Sequence, residues 1–151
     1  MSDFSDYPRP DGPLLGAHSF ETACLSRRTA KPSEIDELGH VNNAVYARWI
    51  QDAAVGHWLS VTEGSAVEDQ VWVCSRHEID YKDQVLEGQT VEIRTWLGEA
   101  KGARFARHTD IRLPGASRPA ATGLTWWVLV DAATRRPRRV GQEVMALFGL
   151  A

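Results

Sequence analysis

"IDELGHVNNAVYARW", residues 35–49, sets an acid, a glycine, a histidine and two asparagines directly ahead of a run with helical spacing. Within and beyond that run, Tyr46, Trp49, Ile50, Ala53 and His57 fall at i, i+3, i+4, i+7 and i+11, one face of a helix of about four turns. The stripe is aromatic and apolar, so the helix must lie against something that covers it. Asparagine is a preferred N-cap, because its side chain accepts a hydrogen bond from one of the orphan amides of the first turn. Asn42 and Asn43 both qualify.

Outward from this stretch the period changes from helical to alternating. In "TVEIRTWL", residues 90–97, Val91, Ile93, Thr95 and Leu97 alternate with Glu92, Arg94 and Trp96, which predicts a strand with one covered face. "VWVCSRHEIDY", residues 71–81, puts Val71, Val73, Ile79 and Tyr81 on one side, with Ser75 and His77 between them. "ARFARHTDIRL", residues 103–113, sorts Ala103, Phe105, Thr109, Ile111 and Leu113 from Arg104, His108, Asp110 and Arg112. "AATGLTWWVLV", residues 120–130, is apolar on both faces and reads as a central strand, with Trp126 and Trp127 divided between core and interface. "FETACLSRRTA", residues 20–30, supplies a first strand, and the turn signals "LEGQ", "GEAKG" and "LPGAS" separate the later ones. A short amphipathic end follows at "QEVMALFGL".

A strand, a long helix and four strands mostly joined as hairpins make an α+β domain, a five-stranded, mainly antiparallel sheet wrapped around one long helix. So small a sheet leaves open edges, and an open edge invites a second copy, so a homodimer or homotetramer is expected. Residues 1–17, with three prolines and no periodicity, read as a flexible N-terminal tail, leaving residues 18–151 as a single domain.

With 151 residues, 43% of them hydrophobic and 25% charged, the chain has the composition of one globular domain. Its net charge of -3 offers no general attraction to nucleic acid or to anionic membranes, and no apolar run reaches the roughly 18 residues of a membrane span. Cys24 and Cys74 are too few for a disulfide framework or a thiolate metal site, so the expectation is a cytoplasmic protein without a metal. No G-x-S-x-G elbow, P-loop, G-x-G-x-x-G or C-x-x-C occurs, which disfavours serine hydrolases, nucleotide hydrolases and dinucleotide enzymes. His57, His77 and His108 fall on core or strand positions and read as structural; "HEID" lacks a second histidine for zinc.

Asp36-Glu37-Leu38-Gly39-His40-Val41-Asn42-Asn43, followed by Tyr46, resembles the D-x-x-G-H-V-N-N-x-x-Y signature of hotdog-fold acyl-CoA thioesterases of the 4-hydroxybenzoyl-CoA thioesterase type. The resemblance extends over about residues 18–140 and includes "EIDYKDQVLEGQTVEIRTWL" and "WWVLVDAATRRPRRV". It implies hydrolysis of an acyl-CoA thioester, with no cofactor beyond the coenzyme A of the substrate. Such a reaction needs a nucleophile or activated water on one side of the carbonyl and hydrogen-bond donors where its oxygen turns negative. By resemblance Asp36 is the carboxylate and Asn43 the position whose backbone N–H polarises the thioester, with His40 a further catalytic candidate. Gly39, Val41, Asn42 and Tyr46 match positions around the substrate, and Gly39 would let the loop adopt a positive φ. Arg135 and Arg136, in the basic turn "TRRPRR", are candidates to clamp coenzyme A phosphates. A hydratase or dehydratase on acyl thioesters and a non-catalytic acyl-CoA-binding module are the competing readings.

Overall fold

The alternating runs become strands and the striped run becomes the one long helix. The computed structural model describes residues 7–63, 67 and 69–150. Within them lie β1 (Cys24–Thr29), a 3₁₀ turn (Pro32–Glu34), α1 (Asn43–Val61), β2 (Gln70–Tyr81), β3 (Thr90–Lys101), β4 (Arg104–Arg112), β5 (Ala121–Asp131) and α2 (Gln142–Leu147). The strands form one five-stranded antiparallel sheet in the order β1-β3-β4-β5-β2. Hairpins join β3 to β4 and β4 to β5, whereas β2 lies at the far edge beside β5 and its link to β3 crosses the sheet. Helix α1 touches both edge strands and β3, so the sheet wraps it as the hotdog fold requires.

The inner face is built in register. Ile93 pairs with Ile111, Thr95 with Thr109 and Leu97 with Arg107. Against them α1 buries Tyr46, Trp49, Ile50, Ala53 and His57, the stripe read from the sequence. Each fully buried large side chain of this kind contributes roughly 1.5–3 kcal/mol. Gly123 of β5 sets how close the helix comes: a Cβ there would lie 2.8 Å from Ile50 Cδ1.

Strand β2 departs from the expected alternation. A bulge falls between Cys74 and Arg76, so Trp72 and Cys74 face inward before it and His77 and Ile79 after it. Val71 and Val73 are therefore on the opposite face, 44% and 49% exposed. A strict period of two cannot register one extra residue, which is why the sequence placed all four apolar residues together. Ser75 is the extra residue, and its hydroxyl donates to the Trp126 carbonyl at 3.1 Å. Strand β1 is also shorter than expected: residues 19–22 form a turn, and Phe20 lies under the Arg94 and Arg112 guanidiniums, each 4.8 Å from its ring centre.

The segment read as a loose tail is laid along the domain from residue 7 onward; residues 1–6 lie outside the described residues. Asp11 N–H donates to the Leu25 carbonyl, Gly16 N–H to Phe148 and Leu97 N–H to Ala17. Ala17 is fully buried. Proline-rich chain shows no periodicity even where its carbonyls have partners, so nothing in the pattern announced this docking.

One of those partners is His57. Its Nε2–H donates to the Leu14 carbonyl at 2.7 Å, and Nδ1 accepts from Arg107 Nη1 at 3.0 Å. Burial and the guanidinium push its pKa down to about 3, so the ring stays neutral. His77, 3.0 Å from the Thr125 hydroxyl, and His108, stacked on Trp96, are also held low by burial. A histidine whose folded pKa is depressed takes up its proton first in the unfolded chain, so stability present above about pH 6.5 is lost as pH falls. The slope is up to about 1.4 kcal/mol per pH unit for each such ring. Urea unfolding at pH 7 and pH 5 should show this loss, and His57→Gln, which keeps a donor and an acceptor but cannot titrate, should reduce it. An unchanged slope in His57→Gln would remove His57 as a source.

Candidate active site

The chain reaches α1 through a loop that is closed on itself. Ile35 and Val41 form an antiparallel bridge, Asp36 N–H donates to the His40 carbonyl at 3.1 Å and Gly39 N–H to the Asp36 carbonyl at 3.0 Å. Gly39 has φ +85°, the left-handed region that lets the chain reverse here and that a side chain disfavours. The loop is anchored from outside by Val41 N–H on the Val85 carbonyl and Asn42 N–H on Glu34.

Asp36 is half-buried inside this loop with both carboxylate oxygens held. Leu38 N–H donates to Oδ1 at 2.9 Å and Asn42 Nδ2 to Oδ2 at 3.3 Å. Asn42 is the N-cap: its Oδ1 accepts from Ala44 N–H at 2.9 Å, and its carbonyl takes Val45 N–H. One amide side chain therefore ties the carboxylate to the helix start. The backbone N–H of Asn43, first residue of α1, has no acceptor among the described residues, and the Asn43 carbonyl accepts from the Tyr81 hydroxyl at 3.1 Å. An anionic group and an open amide at the positive end of a helix dipole thus stand on one short loop. No acidic residue lies in the first turn of α1 to occupy that amide.

The other expected site residues separate into two groups. Val41 and Tyr46 are core residues, 0% and 2% exposed, so they support the loop from beneath rather than offering surface to a ligand. Tyr46 packs edge-on against Trp49 and Tyr81. His40 is half-buried with Nδ1–H directed to the Val41 carbonyl at 3.2 Å, leaving Nε2 available. Leu38, at the loop tip, is 74% exposed.

Arg135 and Arg136 are exposed in a turn at the end of β5. Arg135 takes φ +63°, and Arg138 reaches Asp69, just ahead of β2, at 3.2 Å. The Asp36 loop is at the other end of β5, where Ala121 pairs with Tyr81. Ten residues of strand span about 33 Å, so one chain does not bring Asp36 and the basic turn together.

Sequence reading passed over two features. The first is the brace made by the Asn42 side chain. The second is a cavity of about 390 Å³, partly open to solvent, between the second half of α1, the sheet and α2, lined by Trp58, Trp72, Phe105, Arg107, Trp127 and Phe148 among others. The signal for Arg107 was present: its parity with Phe105 and Thr109 on β4 points inward. Among the described residues, no cluster of histidine, cysteine, aspartate and glutamate could hold a metal ion, and no helix is long and apolar enough to cross a membrane.

This arrangement, a hotdog sheet around one helix with a carboxylate loop at the helix start, is that of a thioesterase-type domain. The chain belongs to the thioesterase-like superfamily, whose family model matches residues 30–148. It is similar in structure to the YbaW probable thioesterase of Escherichia coli, with a TM-score of 0.72 and 18% identity over 83% of this chain and 96% of that one. Slr0204, a 1,4-dihydroxy-2-naphthoyl-CoA thioesterase from Synechocystis, gives a TM-score of 0.70 and 18% identity over 82% and 93%. A DHNA-CoA thioesterase from Staphylococcus aureus gives 0.66 and 20% identity over 77% and 79%. No curated protein matches the chain.

The cap assignment yields a test. Asn42→Ala should lower stability by about 1 kcal/mol through the lost cap, whereas Asn43→Ala, which keeps the backbone amide, should be within about 0.5 kcal/mol of the parent. Thermal or urea unfolding of the two variants checks the order, and a larger loss at Asn43 would put the cap there instead.

Proposed function

We propose that the chain hydrolyses acyl-CoA thioesters, with Asp36 as nucleophile or general base and the amides at the start of α1, Asn43 N–H first, as donors to the carbonyl oxygen. The observation that carries this is the carboxylate of Asp36, held at both oxygens beside an open helix-start amide. A thioester suits that equipment. Its thiolate leaving group has a pKa near that of a free thiol, about 8.5, so no strong general acid is required. Asp36 either attacks the carbonyl carbon, giving an anhydride that water then opens, or takes a proton from the water that attacks. In both routes negative charge moves onto the carbonyl oxygen, where the helix-start amides stabilise it.

The reading includes a second copy. The two edges of the sheet differ: on β1 the Leu25 carbonyl is taken by Asp11, while among the described residues β2 has no strand on its outer side and exposes Val71 and Val73. Antiparallel pairing of two β2 strands about a two-fold axis sets the Tyr81 end of one against the Gln70 end of the other. Asp36 and Asn43 accompany the first end, and the basic turn with Arg135 and Arg136 accompanies the second. The complete site then draws its carboxylate from one subunit and its coenzyme A clamp from the other, within a homodimer or a homotetramer of such dimers.

Asp36→Asn preserves shape but can neither attack nor accept the proton, so kcat should fall by at least ~10²-fold with binding largely retained. A thiol-release assay over short, long and aromatic acyl-CoA substrates measures it. Thiol release near the parent rate from folded Asp36→Asn protein would remove Asp36 from the reaction. Enoyl absorbance changes without thiol release would mark a hydratase, and saturable binding alone a sensor.

The shared site is tested by mixing. Arg135→Ala/Arg136→Ala should raise KM, most at low salt, with kcat nearly unchanged. Co-refolded with Asp36→Asn chains, it should restore low-KM turnover that neither variant shows alone, because one of the two sites in a mixed dimer is intact. If no such activity emerges, each chain builds its own site.

A further inference from the structure

The cavity beside the second half of α1 is walled by aromatic rings and yet contains a buried cation. Arg107, 3% exposed, enters it from β4 between Phe105 and Thr109. Its Nη1 donates to two neutral acceptors, His57 Nδ1 and Thr95 Oγ1, both at 3.0 Å, and the Phe148 ring lies 5.6 Å from the guanidinium carbon. No carboxylate pairs with it among the described residues. Burial lowers its pKa only to about 10, so it stays charged. Cys24, the nearest group able to carry a negative charge, has its thiol pushed up to about 11 by burial and remains neutral.

A buried guanidinium without a counter-ion is strongly unfavourable, and an apolar residue at the same inward position would fold the sheet without that cost. Trp127, paired in register with Phe105 and lining the same cavity, has its Nε1 buried without a hydrogen-bond partner. A guanidinium without a counter-charge and an indole N–H without an acceptor, both on one apolar cavity, call for an anionic acceptor that arrives from outside. Guanidinium matches a carboxylate bidentately, and an aromatic wall suits a ring. The cavity is partly open to solvent, and an acceptor from outside would enter by that side.

The cavity does not belong to its own chain's Asp36. Ala54, Val55 and Trp58, which line it, lie roughly 16–23 Å along α1 from Asn43 at 1.5 Å per residue. Trp72, however, is at the Gln70 end of β2, the end that would meet the Asp36 loop of a second copy in the proposed dimer. Resting on the dimeric thioesterase reading above, we propose that this cavity receives the acyl group of the thioester held at Asp36 of the partner subunit. In it, Arg107, assisted by Trp127 Nε1, selects acyl groups that carry a carboxylate on an aromatic ring, distal to the thioester.

Two measurements test this on the full chain. In the first, tryptophan fluorescence follows binding of phenylacetate and of its neutral analogue phenylacetamide, since Trp58, Trp72 and Trp127 report on the cavity. Phenylacetate should bind at least about tenfold more tightly, the typical worth of a hydrogen bond to a charged group, and Arg107→Met should abolish the difference. In the second, kcat/KM is compared for 4-carboxyphenylacetyl-CoA and 4-methylphenylacetyl-CoA. The carboxylate substrate should lead by about tenfold or more in the parent, keep part of its lead in Arg107→Lys, lose some in Trp127→Phe and fall behind in Arg107→Met. Arg107→Lys retains the charge and so separates lost selectivity from lost folding. Equal binding of phenylacetate and phenylacetamide, or a preference that survives Arg107→Met, overturns the inference. Selective phenylacetate binding without thiol release from any acyl-CoA upholds the anion site and overturns hydrolysis, so the two readings fail separately.

Discussion

The first amides of a helix have no earlier turn to pair with, so their hydrogens need acceptors from outside the helix. In α1 this requirement shapes everything ahead of it. The sheet covers Trp49 and Ile50 almost completely, so the helix is fixed in place, while Asn42, Asn43 and Ala44 at its start are exposed. Asn42 satisfies Ala44 with its side-chain oxygen and Val45 with its carbonyl, and its Nδ2 donates back to Asp36. What is left over is the Asn43 N–H, an unpaired donor beside a held carboxylate. Structural need and chemical opportunity arise from the same shortage of acceptors.

Much of the fold was legible because burial imposes a period. The stripe from Tyr46 to His57 and the alternation of Val91, Ile93, Thr95 and Leu97 are direct records of which face is covered. The loop motif likewise named Asp36 and the helix start. What could not be read were events that leave no period. The bulge in β2 adds one residue and reverses the facing of Val71 and Val73; the docked segment from residue 7 to Ala17 is held by main-chain bonds that any sequence offers. The choice of Asn42 over Asn43 as cap depends on where the chain turns, which the two identical side chains do not reveal. Arg107 was different. Its inward parity was visible, but its residue type argued for the surface.

The separation of the parts along β5 has a general meaning. Asp36 sits near one end of the sheet, and the basic turn and the aromatic cavity lie toward the other. In the dimer proposed above, a domain divided in this way would contribute half of a site at each end. The two edges of the sheet are treated differently: Asp11 of the N-terminal segment bonds the Leu25 carbonyl on β1, while among the described residues no strand pairs the outer side of β2.

Ser75 carries a further consequence. Removing it from β2 would leave Cys74 followed by Arg76 and would restore strict alternation without turning any side chain to the other face. The residue is therefore superfluous to the inside-outside code of the strand. Its contribution is to curvature: a bulge bends and over-twists the edge, and the Ser75 hydroxyl supplies Trp126 with the bond that the interrupted ladder omits. The bend lies close to the midpoint of the twelve-residue strand. Two such strands laid together would share matching kinks at their centre and so have one seating, as a pair of hinge leaves has one pin.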